Sequence, residues 1–112
     1  MALKVGCDIV SISIFRDRLS ETGDLLPERI FHPDECAGAT VETLAGRFAA
    51  KEAVLKALGM PAGTWQQLWV KHDDRGAPLI LFIEPKPWVH EITVSISHNN
   101  DFAIAVVVAV LE

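Results

Sequence analysis

Cysteine is scarce in this sequence: Cys7 and Cys36 are the only two among 112 residues. At most one bridge can form, which excludes the dense disulfide framework of a small secreted domain. Both read as free thiols in a reducing cytoplasm. Basic charge is also thin. Ten Lys and Arg against fifteen Asp and Glu leave a net charge of −5. That is the wrong sign for a nucleic-acid binder, whose surface is normally basic, so any basic site must be local. Long apolar runs are missing. The longest, residues 102–111, is about half the length of a bilayer-spanning helix. Lys4 and Asp8 interrupt the first apolar stretch, so the start does not read as a secretory leader. The expectation is a soluble, cytoplasmic protein with neither nucleic acid nor membrane among its partners. A Walker-type glycine loop, a Gly-x-Ser-x-Gly elbow and a CxxC pair are likewise absent. His32, His72, His90 and His98 lack metal-ligand spacing, which sets zinc aside.

What is present fits one domain over residues 1–112 with a modest core. Apolar residues make up 50% and charged residues 22%, a folded rather than disordered composition. There is no repeat and no linker. Residues 5–10 alternate as a strand, with Val5, Cys7 and Ile9 on one face and Gly6, Asp8 and Val10 on the other. Residues 12–19 fit strand or helix. A loop with Gly23 and Pro27 follows, then a helix start near Pro33 with acids in its first turn. The spacing predicts a long helix over 42–58, stopped by Gly59 and Pro61. Leu44, Phe48 and Leu55 form a stripe expected to face the core. The last third reads as sheet: 68–72 and 79–83 around a turn at 73–76, a break at Pro85 and Pro87, then 92–97 and 103–110 joined by a tight loop at 98–101. The final strand is apolar throughout, as a strand covered on both faces would be. The fold class is α+β, with an antiparallel sheet packed on one long helix.

Chemistry-bearing residues concentrate on that helix. Glu52 and Lys56 lie four apart in the favourable acid-then-base order; alone, the pair fits a surface ion pair. Glu52 also sits only about 40° around the axis from Phe48, at the edge of the apolar stripe. A partly desolvated carboxylate there needs a cation or hydrogen bonds. Arg47 and Lys51 form a like-charged i, i+4 pair, unfavourable unless an anion lies near. One helix thus offers an acid and three bases. This suits a phosphate ligand held with a metal, and equally a solvated charged face. Asp8 interrupts an apolar strand, where an acid is disfavoured, so it either caps a turn or ligates. Magnesium sites use one or two carboxylates with water and substrate phosphates. Asp8 and Glu52 supply such a pair if the strand packs beside the helix. His98 follows a strand and either caps the loop or donates to a phosphate.

At this point the residues resemble a family. The run LAGRFAAKEAVLKALG over 44–59 is similar to the signature helix of the holo-acyl-carrier-protein synthases, small 4′-phosphopantetheinyl transferases. GCDIV over 6–10 resembles their metal-binding strand, and RIFHPDE over 29–35 a further family stretch. Gly76-Ala-Pro78 and VSISH over 94–98 complete the set in order. The resemblance spans nearly the whole chain; the helix motif is long and specific, the other segments short.

The resemblance implies an α+β homotrimer with active sites between subunits. It implies magnesium held by Asp8, Glu52 and the coenzyme A pyrophosphate, and Lys56 on the phosphates or leaving group. It implies Arg47 and His98 on the 3′-phosphoadenosine part, His98 reaching from the adjacent subunit. The activity would be transfer of 4′-phosphopantetheine from coenzyme A to a serine of an apo acyl carrier protein, for fatty-acid biosynthesis. Glu52 would take the serine proton, directly or through a metal-bound water.

Three features depart from the family pattern. Ile14 replaces an arginine that meets the carrier protein, and Arg16 and Arg18 stand nearby as substitutes. Residues 36–46 are short and lack Lys and Arg, where relatives carry a basic segment near the 3′-phosphate. Pro85 to Trp88 replaces a helix. Ile14 keeps a polyketide-type or other specialised carrier open. A non-catalytic homologue that binds coenzyme A or a carrier protein, and a bare trimeric structural domain, are the readings from other classes. Asp8, Glu52 and Lys56 together speak against the first, and the charged helix face against the second.

Overall fold

The computed structural model describes residues 1–21 and 25–112. Strand β1 (Ala2–Ser11) runs into helix α1 (Ile12–Glu21), which settles the ambiguous 12–19 stretch as helix. Two short helices follow, α2 (Leu25–Ile30) and α3 (Pro33–Cys36), then the long helix α4 (Val41–Leu58). A 3-10 turn (Trp65–Gln67) leads into β2 (Leu68–His72) and β3 (Pro78–Phe82), then β4 (Val89–Asn99) and β5 (Phe102–Leu111). Gly23, expected in a loop, lies outside the described residues. Pro27 belongs to the first turn of α2, where its missing N–H costs nothing. The α+β class is as expected, and all strand pairings are antiparallel. The strands form two sheets instead of one, β1-β5-β4 and β2-β3.

Helix α4 is capped at both ends. Thr40 Oγ1 accepts from the Thr43 N–H at 3.2 Å, and Gly59 takes the left-handed φ of 66°, which only glycine adopts without strain. Its core face differs from the expected stripe. Leu55 is buried as expected, but Leu44 and Phe48 are half-buried, while Ala45, Ala49, Ala50, Ala53 and Ala57 are buried. Size explains the difference. A Cβ on Gly6 would lie 1.9 Å from the Ala53 carbonyl oxygen. The helix backbone therefore touches β1 directly, and only small residues fit the contact. Strand β5 meets the same helix with Ala103, Ala105, Val107 and Ala109, all fully buried.

Strand β1 keeps the expected alternation, with Gly6 and Val10 buried and Asp8 partly so, against Val5, Cys7 and Ile9 exposed. Strand β5 does not have both faces covered within the chain. Its outward Phe102, Ile104 and Val106 are exposed beside Leu3, Val5 and Ile9 of β1. The β4–β5 connection is tighter than expected: His98 pairs with Ala103 inside the ladder, and only residues 100 and 101 turn. Asn100 has φ 55°, a conformation asparagine tolerates and tight hairpins need.

That turn also anchors α1. Asp101 accepts from the Ser13 N–H at 2.8 Å and from the Ser11 and Ser13 hydroxyls at 2.7 and 2.8 Å. These bonds, Ser11 first, hold its carboxyl below the usual range. Cys7 and Cys36 are unpaired. Among the described residues no helix is long and apolar enough to cross a membrane.

Candidate active site

The contact between β1 and α4 at Gly6 decides the site. It brings Asp8, on the inward face of β1, beside Glu52 on α4. Both line one cleft of about 390 Å3, with Ser11, Phe15, Arg18 and Phe48. Lys56 Nζ donates to Asp8 Oδ1 at 3.2 Å and to the Cys7 carbonyl at 3.0 Å. The Trp65 indole N–H donates to Glu52 Oε1 at 3.1 Å. Phe48 stacks on Phe15, ring centroids 5.3 Å apart, and meets Trp65 at 5.7 Å. This aromatic wall lowers the local dielectric, which strengthens charge interactions in the cleft. Lys56 remains 55% exposed at its side chain, against 19% for Asp8.

Two carboxylates in a partly apolar cleft favour a cation. Their hard oxygens suit magnesium, which takes one or two carboxylates and completes its shell with water and ligand oxygens. Among the described residues no three His, Cys, Asp or Glu converge on one point. The residues present, Asp8 and Glu52, fit an ion that would take its remaining ligands from water and a phosphate.

The like-charged Arg47 and Lys51 have a different explanation from the one expected. The Lys51 charge is met by the Glu35 carboxylate of α3, part of the chain itself, whereas Arg47 reaches only the backbone carbonyl of that residue. Lys51 is fully buried, with Nζ on Glu35 Oε1 at 2.8 Å and on the carbonyls of Ile30, Leu68 and Trp65 at 2.8 to 3.0 Å. Burial lowers its pKa, and Glu35 opposes the shift. Glu35 Oε2 accepts from the Val70 N–H at 2.8 Å, and its Oε1 from the His32 N–H at 2.8 Å. So Lys51 is not one of three bases facing a ligand; it joins α2, α3, α4 and β2.

Arg47 stands at the edge of this knot. It donates through Nη1 to the Glu35 carbonyl and through Nη2 to His72 Nδ1 at 3.1 Å. It lines a pocket of about 240 Å3 with His72 and Lys71. His98 lines a neighbouring pocket of about 220 Å3 with Gly46, His72, Gly76 and Pro78. His72 belongs to both. No local spacing marks His72 beyond the discarded zinc pattern; the packing of β2 against α4 is what brings it to Arg47. Trp65 was missed as well, since nothing local marks an indole that reaches back thirteen positions.

On α1, Ile14 and Arg18 line the Asp8–Glu52 cleft. Arg16 is exposed and lies 3.8 Å from Glu42. Of the three positions considered for partner recognition, all on one short helix, Ile14 and Arg18 lie at the cleft and Arg16 faces the start of α4.

Comparison with known proteins gives a consistent result. The model of the 4′-phosphopantetheinyl transferase superfamily matches residues 4–107. The chain is 39% identical to a holo-[acyl-carrier-protein] synthase of a Sulfurovum species, over 93% of each chain. It is 41% identical to that of Kocuria rhizophila, over 97% of this chain and 93% of the relative. Among solved structures, the Helicobacter pylori holo-[acyl-carrier-protein] synthase in complex with coenzyme A superposes with a TM-score of 0.88. Its identity is 32%, over 95% of this chain and 99% of that one.

Proposed function

Since the chain belongs to the 4′-phosphopantetheinyl transferase superfamily, among the holo-[acyl-carrier-protein] synthases, we propose that it moves 4′-phosphopantetheine from coenzyme A to a serine of an apo acyl carrier protein serving fatty-acid biosynthesis in the cytoplasm. The carrying observation is the shared cleft of Asp8 and Glu52 with Lys56 tied to Asp8. Magnesium, held by Asp8, Glu52 and pyrophosphate oxygens, would neutralise the charge that repels an attacking nucleophile. The serine oxygen attacks the β-phosphorus, and the bond to the 3′,5′-ADP leaving group breaks. Glu52 accepts the serine proton, and Lys56 stabilises the charge on the leaving oxygen. No covalent enzyme intermediate is required; positioning and electrostatics carry the rate.

Arg47 and His98 hold the 3′-phosphoadenosine part, and Arg16 and Arg18 meet the acidic carrier. The working unit is a homotrimer of a single 1–112 domain, with His98 contributed by the adjacent subunit. Support for assembly is the exposed apolar face of β1 and β5, with Leu3, Val5, Ile9 and Phe102 all more than half exposed. An apolar face of this kind on a soluble chain marks an interaction surface.

Intact-mass measurement of an apo fatty-acid carrier protein, incubated with this protein, coenzyme A and magnesium, tests the reading. A gain of one phosphopantetheine group, lost with EDTA, is expected. Modification of a polyketide-type carrier alone would move the assignment to specialised metabolism, in line with Ile14 at the cleft. Failure on every carrier would overturn the transfer reading.

A further inference from the structure

Glu52 has three rotatable side-chain torsions, and ligating a cation requires all of them fixed. The structure offers a device that fixes them beforehand. We propose that Trp65 is a positioning residue for Glu52: its indole N–H holds Oε1 and leaves Oε2 to be presented to the divalent cation. The inference rests on the metal reading of the preceding section.

The indole is placed independently of Glu52. Gly59, at φ 66°, reverses the chain after α4, and the Met60 N–H closes the turn on the Leu55 carbonyl at 3.0 Å. The Thr64 hydroxyl donates to the Pro61 carbonyl at 2.7 Å. The Trp65 carbonyl is gripped by buried Lys51 Nζ at 3.0 Å, and its ring packs on Phe48. The loop therefore delivers a fixed donor to one oxygen of a flexible acid, 3.1 Å away.

The choice of donor matters chemically. An indole N–H can only donate, so it orients the carboxylate and cannot compete with it for the cation. Groups that orient metal ligands in this way typically change metal affinity about 10- to 100-fold when removed. The same Lys51 that holds the Trp65 carbonyl holds Glu35, whose own carbonyl anchors Arg47. One buried ammonium thus sets the positions of groups on both sides of α4.

Trp65→Phe keeps the ring and deletes the donor. Isothermal titration of magnesium into coenzyme A-saturated protein should show affinity about 10- to 100-fold weaker than wild type. In turnover assays the apparent KM for magnesium should rise, with the KM for carrier protein unchanged. Affinity within about twofold of wild type would overturn the inference and leave Trp65 as a packing residue. No magnesium binding by wild type would overturn the metal reading, and the inference with it. Glu52→Gln serves as the reference for loss of the ligand itself. If Trp65→Phe does not fold, the indole N–H resonance of wild-type Trp65, assigned against Trp69→Phe and Trp88→Phe, carries the test. It should shift when magnesium is added to the coenzyme A complex, and an unmoved resonance would overturn the proposal.

Discussion

Lys51 and Lys56 stand roughly one and a half turns apart on the same helix and have opposite fates. The Lys51 ammonium is fully buried among four oxygens, all within 3.0 Å. An ammonium has three donors, so none remains for a ligand. The Lys56 ammonium has two partners and an exposed side chain, beside a cleft that holds two carboxylates. Charge on a helix is therefore a poor guide to function. What separates the two lysines is spare donor capacity at an accessible position, and the packing of other elements around the helix decides it.

Substitution should separate the two sides cleanly. Lys51→Ala leaves Glu35 buried without its counter-ion and three carbonyls without a donor. We expect a loss of about 3–5 kcal/mol in urea unfolding; a loss under about 1 kcal/mol would erase the contrast. Lys56→Met removes an exposed pair and should change stability by no more than about 1 kcal/mol. Its kcat should nevertheless fall about 10²- to 10³-fold if Lys56 stabilises the leaving oxygen. Near-normal turnover would place Lys56 with the surface ion pairs. A weaker effect belongs to α1. Reversing charge at both Arg16 and Arg18 should raise the KM for carrier protein while the coenzyme A affinity holds, because attraction between surface charges is salt-screened. An unchanged KM would put carrier recognition on another element.

Much of this was legible from the chain. Period-two alternation correctly put Asp8 on the inward face of β1, and the capping signals bounded α4 within a residue. The α+β class and the family followed from motifs in order. Less legible was anything governed by how closely elements approach. The contact of Gly6 with Ala53 selects the alanine face of α4 and moves Leu44 and Phe48 to the edge of the core. Glu35, read as an acid in a first turn and as the end of the RIFHPDE stretch, becomes the partner of Lys51 because α3 folds back onto α4 and β2. The outer face of β5 reads as covered because its residues are apolar, but among the described residues nothing covers Phe102, Ile104 and Val106. Helical spacing reports which residues share a face; it does not report what that face meets.

The smallest expected effect concerns Arg47 and depends on pH. His72 Nδ1 accepts from Arg47, so the ring must be neutral with its proton on Nε2. Burial first, and the Arg47 charge second, lower its pKa below 6.5, while Asp73 opposes them. The unfolded chain therefore takes up this proton at a higher pH than the folded one. The contribution is fully present above pH 6.5 and is lost as pH falls through the lower folded value. Asp34, hydrogen-bonded to Lys71, and Asp101, hydrogen-bonded to Ser11, are also lowered, but from 3.8. Their contributions survive until pH falls through values below that. Mild acidification should thus loosen the Arg47–His72 contact while these two carboxylate contacts, Asp34–Lys71 in the same pocket among them, stay intact. His72→Asn retains an acceptor for Arg47 and cannot titrate, so its Tm should change less than that of wild type as pH drops just below 6.5. Parallel Tm profiles would mean that protonation of His72 is not coupled to folding, and that Arg47 is held by the Glu35 carbonyl alone.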